Sequence, residues 1–336
     1  MGSNYVKKNP RRLETDVLGD QCFFWFRSHP DAYQSFLQIK INKEFFSLLE
    51  SDEVFSGIRT QYLSPLPELK DGHTFFQNNI QDILLVLGLY ALPYCYAGAN
   101  GARVLVKSKR ITDEPQKRLT ETAQFVVNVC RSGAYEEYGS GYLEAFKVRM
   151  MHAAARYYTK KEIADEMPVN QEDMLATMLA FSIVMVRGLR RIGVPVSAKE
   201  SLDYLRLWGW VGTLLGINPS YIPGSLSLAS LEDQGIQKRE FRKSSEGILL
   251  TRSLTDFFKN SAGSRQFNFV ALMHYLLGDV LSDILELDNA SRPFGLMVGN
   301  GLRFRNAIQS FSKKNFEIVL KEVQTNLASS KSELQS

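Results

Sequence analysis

The chain has 336 residues, 44% hydrophobic and 23% charged, enough for one large domain or two ordinary ones with a sizeable core. Its net charge of +4, from 40 Lys+Arg against 36 Asp+Glu, gives no reason to expect a nucleic-acid partner. Three widely spaced cysteines, Cys22, Cys95 and Cys130, exclude a disulfide framework and a zinc signature and suit a reducing compartment, with the cytoplasm the expected location.

Residues 1–14 are basic, with no apolar run after them, and read as a disordered leader. Arg11-Arg12 runs into Leu-Glu-Thr-Asp, which is no export signal, and Val6 stands where a myristoylation signal needs Ser or Thr. Strand alternation is scarce and helical periodicity dominates. Pro30 starts a helix running to about Leu49, and Ser51 to Tyr62 forms a shorter piece broken at Ser64-Pro65-Leu66-Pro67. The next helix spans Thr74 to Leu92 and ends at Pro93; Tyr94 to Arg103 is small and Gly-rich and reads as a loop, without the spacing of a nucleotide site.

A helix from Thr112 to Cys130 closes on Gly133, and Gly139 and Gly141 precede another. Asn170 to Arg191 is a long helix closed by Gly193 and Pro195, and Ser197 with Glu200 forms a capping box opening the next, through Trp208 to Gly216. Loops near Asn218 to Pro223 precede helices near Gly247–Lys259, Phe267–Leu287 and Asn315–Leu327. Ile83 to Ala99 and Met174 to Val186 are apolar but shorter than a membrane span, so both read as buried helices; no transmembrane segment is expected, and peripheral membrane contact stays open. The basic runs Lys107-Ser108-Lys109-Arg110 and Lys238-Arg239 with Arg242-Lys243 read as solvated loops or helix ends. The expectation is an all-α fold, a single large multi-helix domain over residues 15–327 with a disordered tail at 328–336; two sub-bundles dividing near residue 195 are the other arrangement.

The chemistry-bearing stretch is Gly139 to Tyr158, GSGYLEAFKVRMMHAAARYY. Arg149, His152 and Arg156 are three and four residues apart, so they share one helix stripe with small apolar neighbours. One reading is a core histidine between two surface arginines. The other is a site for a flat, apolar ligand with an anionic edge, such as haem b, with His152 on iron and the arginines on propionates. On the preceding helix Arg118, Glu121 and Thr122 share a face in the same way. Two such helices facing one another would sandwich a cofactor.

Here the sequence resembles the rubber oxygenase (latex clearing protein) and MpaB-type oxygenase family, formerly a domain of unknown function. Arg149-Met-Met-His152-Ala153-Ala-Ala-Arg156 is similar to the family's R-x-x-H-A-x-x-R helix, and Arg118-Leu-Thr-Glu121-Thr122 to its R-x-x-K-T segment. Tyr204 to Gly216 with Tyr221-Ile222-Pro223 is similar to the stretch after the haem helix, and the likeness covers residues 15–290. Glu121 replaces the family's lysine, and its distal glutamate would fall near Ala102.

The resemblance implies an all-helical domain enclosing a haem b pocket, with His152 as the iron ligand. It implies dioxygen as co-substrate and oxidative cleavage of an apolar alkene, such as an isoprenoid, to two carbonyls. Arg149, Arg156 and Arg118 would bind the cofactor, while Glu121, Thr122 and Arg118 would be catalytic. Glu121 would shuttle a proton or simply pair with Arg118; Thr122 would bond dioxygen or its own helix. A haem protein without oxygenase turnover (peroxidase-like, carrier or sensor) uses the same His152, and a haem-free helical scaffold would bind lipid or protein. His274, on an apolar helix, reads as a core residue or a sixth ligand; His29 and His73 read as exposed, His73 in a loop.

Overall fold

The structure, a computed structural model, describes residues 9–107, 115–161, 163, 167–261, 269–287, 294–297 and 299–301. Helices α1 (Val17–Ser28), α2 (Pro30–Gln38), α3 (Asn42–Leu49) and α4 (Ser56–Tyr62) lead into α5 (Lys70–Val86). A π-helical segment, Leu87–Ala91, carries α5 without a break into α6 (Leu92–Tyr96). Then come α7 (Ala99–Lys107), α8 (Pro115–Cys130), α9 (Gly141–Thr159) and α10 (Gln171–Leu179); a second π segment, Ala180–Val184, joins α10 to α11 (Met185–Arg191). The remainder is α12 (Ala198–Leu214), α13 (Leu226–Glu240), α14 (Ser245–Ser261), α15 (Phe269–Leu277) and α16 (Asp279–Ile284). The described residues are all-α: they contain no strand, and Gly98 and Phe241 form an isolated bridge.

Local chemistry explains most of the boundaries. Ser197 and Glu200 cap α12 reciprocally, and the Asn170 side chain accepts from the Asp173 N–H at the start of α10. The expected helix from Pro30 to Leu49 is split at residues 39–41. Asn42 is fully buried, and its amide donates to the carbonyls of Ala134 and Glu136. Its backbone N–H bonds Gly139, so contacts across the fold override local continuity. Pro93 does not end its helix: the π register before it leaves the missing N–H without consequence, and Tyr94 to Arg103 is mostly helical rather than a loop. Gly278, at φ +76°, divides the segment expected as one helix from Phe267 to Leu287. Helix α13 was not expected, because its sequence is polar on nearly every side.

Residues 9–14, expected within the leader, are among the described residues. Residues 10–12 form a 3-10 turn in which Arg11 pairs with Glu172 (2.9 Å) and Arg12 with Glu240 (2.9 Å). The helix expected at Asn315–Leu327 and the tail lie outside the described residues.

The core is continuous. Phe26, Phe36, Phe45, Phe55 and Phe146 stack with centroids 5.0–6.5 Å apart, joining α1, α2, α3 and α9. Each buried ring contributes about 1.5–3 kcal/mol. Helix α5 packs closely on α12, where a Cβ on Gly72 would lie 2.7 Å from the Asp203 carbonyl. No described helix is long and apolar enough to cross a membrane.

Candidate active site

A cavity of about 1540 Å³ opens within the bundle, with walls from α1, α2, α6 to α10, α12 and α14. Its lining is largely apolar, with Phe125, Met174, Met178, Phe181, Trp208 and Leu254 on it. His152 of α9 lies on the wall, as do Arg118, Glu121 and Thr122 of α8. The two polar faces read from the sequence therefore meet at one cavity, on helices packed against each other.

The His152 Nδ1 is buried with no hydrogen-bond partner, and the residue lies on the cavity wall. Burial first, then the Arg156, Arg118 and Arg149 guanidiniums, push this imidazole down to about 4, against the opposing pull of Asp16. It is neutral at physiological pH, with a lone pair available to a metal.

Arg149 and Arg156 are not among the residues lining the cavity, and both have partners elsewhere. Arg149 is 1% exposed. It grips the Asp16 carboxylate through Nε and NH2, both at 2.6 Å, and NH1 bonds Gln61 Oε1 (2.6 Å) and the Leu214 carbonyl (3.2 Å). Arg156 pairs with Asp20 (2.8 Å) and donates to the Val169 carbonyl (3.1 Å). Both arginines fasten α9 to α1. Asp16 also caps α1 by accepting from the Gly19 N–H, and a Cβ on Gly216, at φ +93°, would lie 2.4 Å from its carboxyl carbon. No sequence signal marks Asp16 as the partner of Arg149, 133 residues away.

On α8 the local pairings form. Arg118 NH1 donates to Glu121 Oε2 at 2.8 Å, and Thr122 Oγ1 donates to its own helix at the Arg118 carbonyl, 2.8 Å. Arg118 Nε stays buried without a partner, and Thr122 keeps oxygen lone pairs for a donor. Ala102, where the family's distal glutamate would fall, is fully buried on α7 and presents no carboxylate.

The other histidines stand apart from the cavity wall. His274 is buried on α15. His29 stacks on Trp25 at 4.3 Å. His73 is not in an exposed loop: it lies buried in α5, its Nδ1 2.8 Å from the Cys130 carbonyl, and burial lowers its pKa. The three cysteines are free. In the second basic run Arg239 pairs with Glu172 (2.6 Å) and Lys243 with Glu286 (2.6 Å), while residues 108–110 of the first lie outside the described residues. Sequence reasoning missed Tyr94 on the cavity wall, whose hydroxyl donates to buried Asp233, itself paired with Arg187; it lay in the stretch read as a loop.

The fold and site together are those of an all-helical bundle whose central cavity takes polar groups from two adjacent helices, one of them bearing a neutral imidazole. Residues 81–234 match the family described as "ER-bound oxygenase mpaB/B'/Rubber oxygenase, catalytic domain", so this segment is similar to that family's catalytic domain. A Rubber oxygenase of Streptomyces sp. (strain K30) is 26% identical over 178 residues, 51% of this chain. The chain spans 44% of that relative's length. The fold is similar to a solved structure of latex clearing protein in the closed state, with a TM-score of 0.73 and 19% identity, covering 89% of this chain and 85% of that one.

Proposed function

We propose that the cavity holds one haem b through His152 and that the protein is an oxygenase using dioxygen on an apolar alkene of isoprenoid type, with oxidative C=C cleavage as the reaction. The observation that carries this reading is the imidazole itself: neutral, its Nδ1 buried and unpartnered, on the wall of a large apolar cavity. An ordinary ligand pocket is about 300–1,000 Å³, so this cavity has room for a cofactor and a substrate together. Bound haem would supply dioxygen activation.

The chain's own residues do the rest. His152 would hold the iron. Arg118, with Nε unpartnered on the wall, offers charge to a propionate. Its NH1 holds Glu121 by Oε2, which leaves Oε1 to accept a proton. The Thr122 hydroxyl hydrogen is committed to the Arg118 carbonyl, so its oxygen can only accept. The apolar wall selects substrates without charge and excludes water. The Rubber oxygenase relative supports the isoprenoid class.

The test is the visible spectrum of the purified protein beside His152→Ala. A Soret band with a b-type pyridine haemochrome, lost in the variant, is the expected result. A wild type that stays colourless after haem reconstitution overturns the proposal.

A further inference from the structure

The geometry points to the cavity mouth as a docking surface for an anionic lipid bilayer, an inference that goes beyond the proposed function and needs no bound cofactor. Phe23 and Phe24 of α1 and Tyr157 and Tyr158 of α9 form one aromatic cluster, with ring centroids 5.1–6.4 Å apart. Phe24 is 52% and Tyr158 64% exposed. Phe23 and Tyr158 also line the cavity, beside exposed Tyr33, Leu37 and Met151. An exposed apolar patch continuous with an internal apolar cavity calls for a partner that is itself apolar.

Charge and ring type select the bilayer. The Arg27 guanidinium lies 4.2 Å above the Tyr157 ring. Arg27, Lys160 and Lys161 have no carboxylate partner among the described residues, whereas the carboxylates Asp20 and Glu144 are committed to Arg156 and Lys147. Tyrosine rings with polar tips, flanked by cations on flexible stems, match the headgroup boundary of an anionic membrane. Docked there, the cavity would open toward the hydrocarbon, and an apolar molecule would enter without crossing water.

The test is co-sedimentation of the full chain with phosphatidylcholine vesicles, with and without phosphatidylserine. The wild type should bind, more strongly when phosphatidylserine is present. Phe24→Ser with Tyr158→Ser should lower partitioning about tenfold or more. Gln at Arg27, Lys160 and Lys161 should weaken binding to the anionic vesicles about fivefold per charge. Phe24→Trp gives a second readout, a blue shift of emission on vesicle addition, in a chain left otherwise intact. Absence of wild-type binding, unchanged binding of the serine variant, or no emission shift from the Phe24→Trp variant overturns the inference. So does a wild-type dimer in sedimentation equilibrium that the serine variant dissociates, since a second copy would then cover the patch.

Discussion

Removing the Asp16 carboxylate tests the division of labour in the His152 helix. Asp16→Ala leaves the Arg149 guanidinium 1% exposed, with Gln61 and the Leu214 carbonyl as its remaining partners. Breaking one side of a buried pair costs about 3–5 kcal/mol. Asp16 also caps α1, and losing that bond adds about 1 kcal/mol. A total of about 4–6 kcal/mol corresponds to a fall in Tm of about 8–12 °C, at about 2 °C per kcal/mol for a chain this large. Asp20→Ala is the control. Its carboxylate is 28% exposed and Arg156 keeps the Val169 carbonyl, so the loss should stay near about 1 kcal/mol. Pairing Asp16→Leu with Arg149→Met should recover a large part of the single-variant loss, because no buried charge is left unpaired. Urea and thermal unfolding of the cofactor-free chains measure all four. If Asp16→Ala is no worse than Asp20→Ala, the buried tie is refuted. If Arg149→Met unfolds like wild type yet no longer takes up haem, Arg149 belongs to the cofactor after all.

Glu121→Gln should leave stability within about 0.5 kcal/mol, because the pair with Arg118 is half exposed, while altering the pH dependence of turnover; an unchanged pH profile removes Glu121 from proton handling. His73 is buried and its native pKa is depressed, so the unfolded chain binds the extra proton below its ordinary value of about 6.5. Its contribution is therefore intact above about pH 6.5 and is lost as pH falls toward the lower native value; His73→Gln should flatten that part of the stability–pH curve, and a curve unchanged by the substitution contradicts the assignment. Gly72→Val should cost about 2–3 kcal/mol, since the new Cβ starts 2.7 Å from the Asp203 backbone carbonyl; a neutral result in urea unfolding would mean that α5 and α12 are not so closely packed.

Fold class was legible because periodicity and caps are local. Ser197 with Glu200, Asn170, Gly133 and Gly193 all act within a few residues of themselves, and each does what its chemistry predicts: two cap helix starts, and the two glycines take positive φ. Failures arose where a distant partner decides. Asn42 breaks a helix to bond the carbonyls of Ala134 and Glu136. Pro93 is absorbed by a π segment whose partner, Ala180–Val184, lies on another helix. His73 reads as a loop residue, but its ring reaches the carbonyl at the end of α8.

The candidate site shows the same limit within one motif. A spacing of three and four residues places Cα–Cβ bonds on one stripe, and Arg149, His152 and Arg156 do share a stripe. Shared direction fixes the destination only of a short side chain. The imidazole ends close to the backbone and stays where the stripe points, at the cavity. Each guanidinium rides on a longer stem, and both carry their charge to carboxylates of α1. A buried guanidinium must have a carboxylate or carbonyl partner, and Asp16 and Asp20 supply it without the cavity giving up apolar wall. The arginines then serve the histidine indirectly. They pin the helix that carries it, and their charge favours the neutral imidazole that can bind a metal.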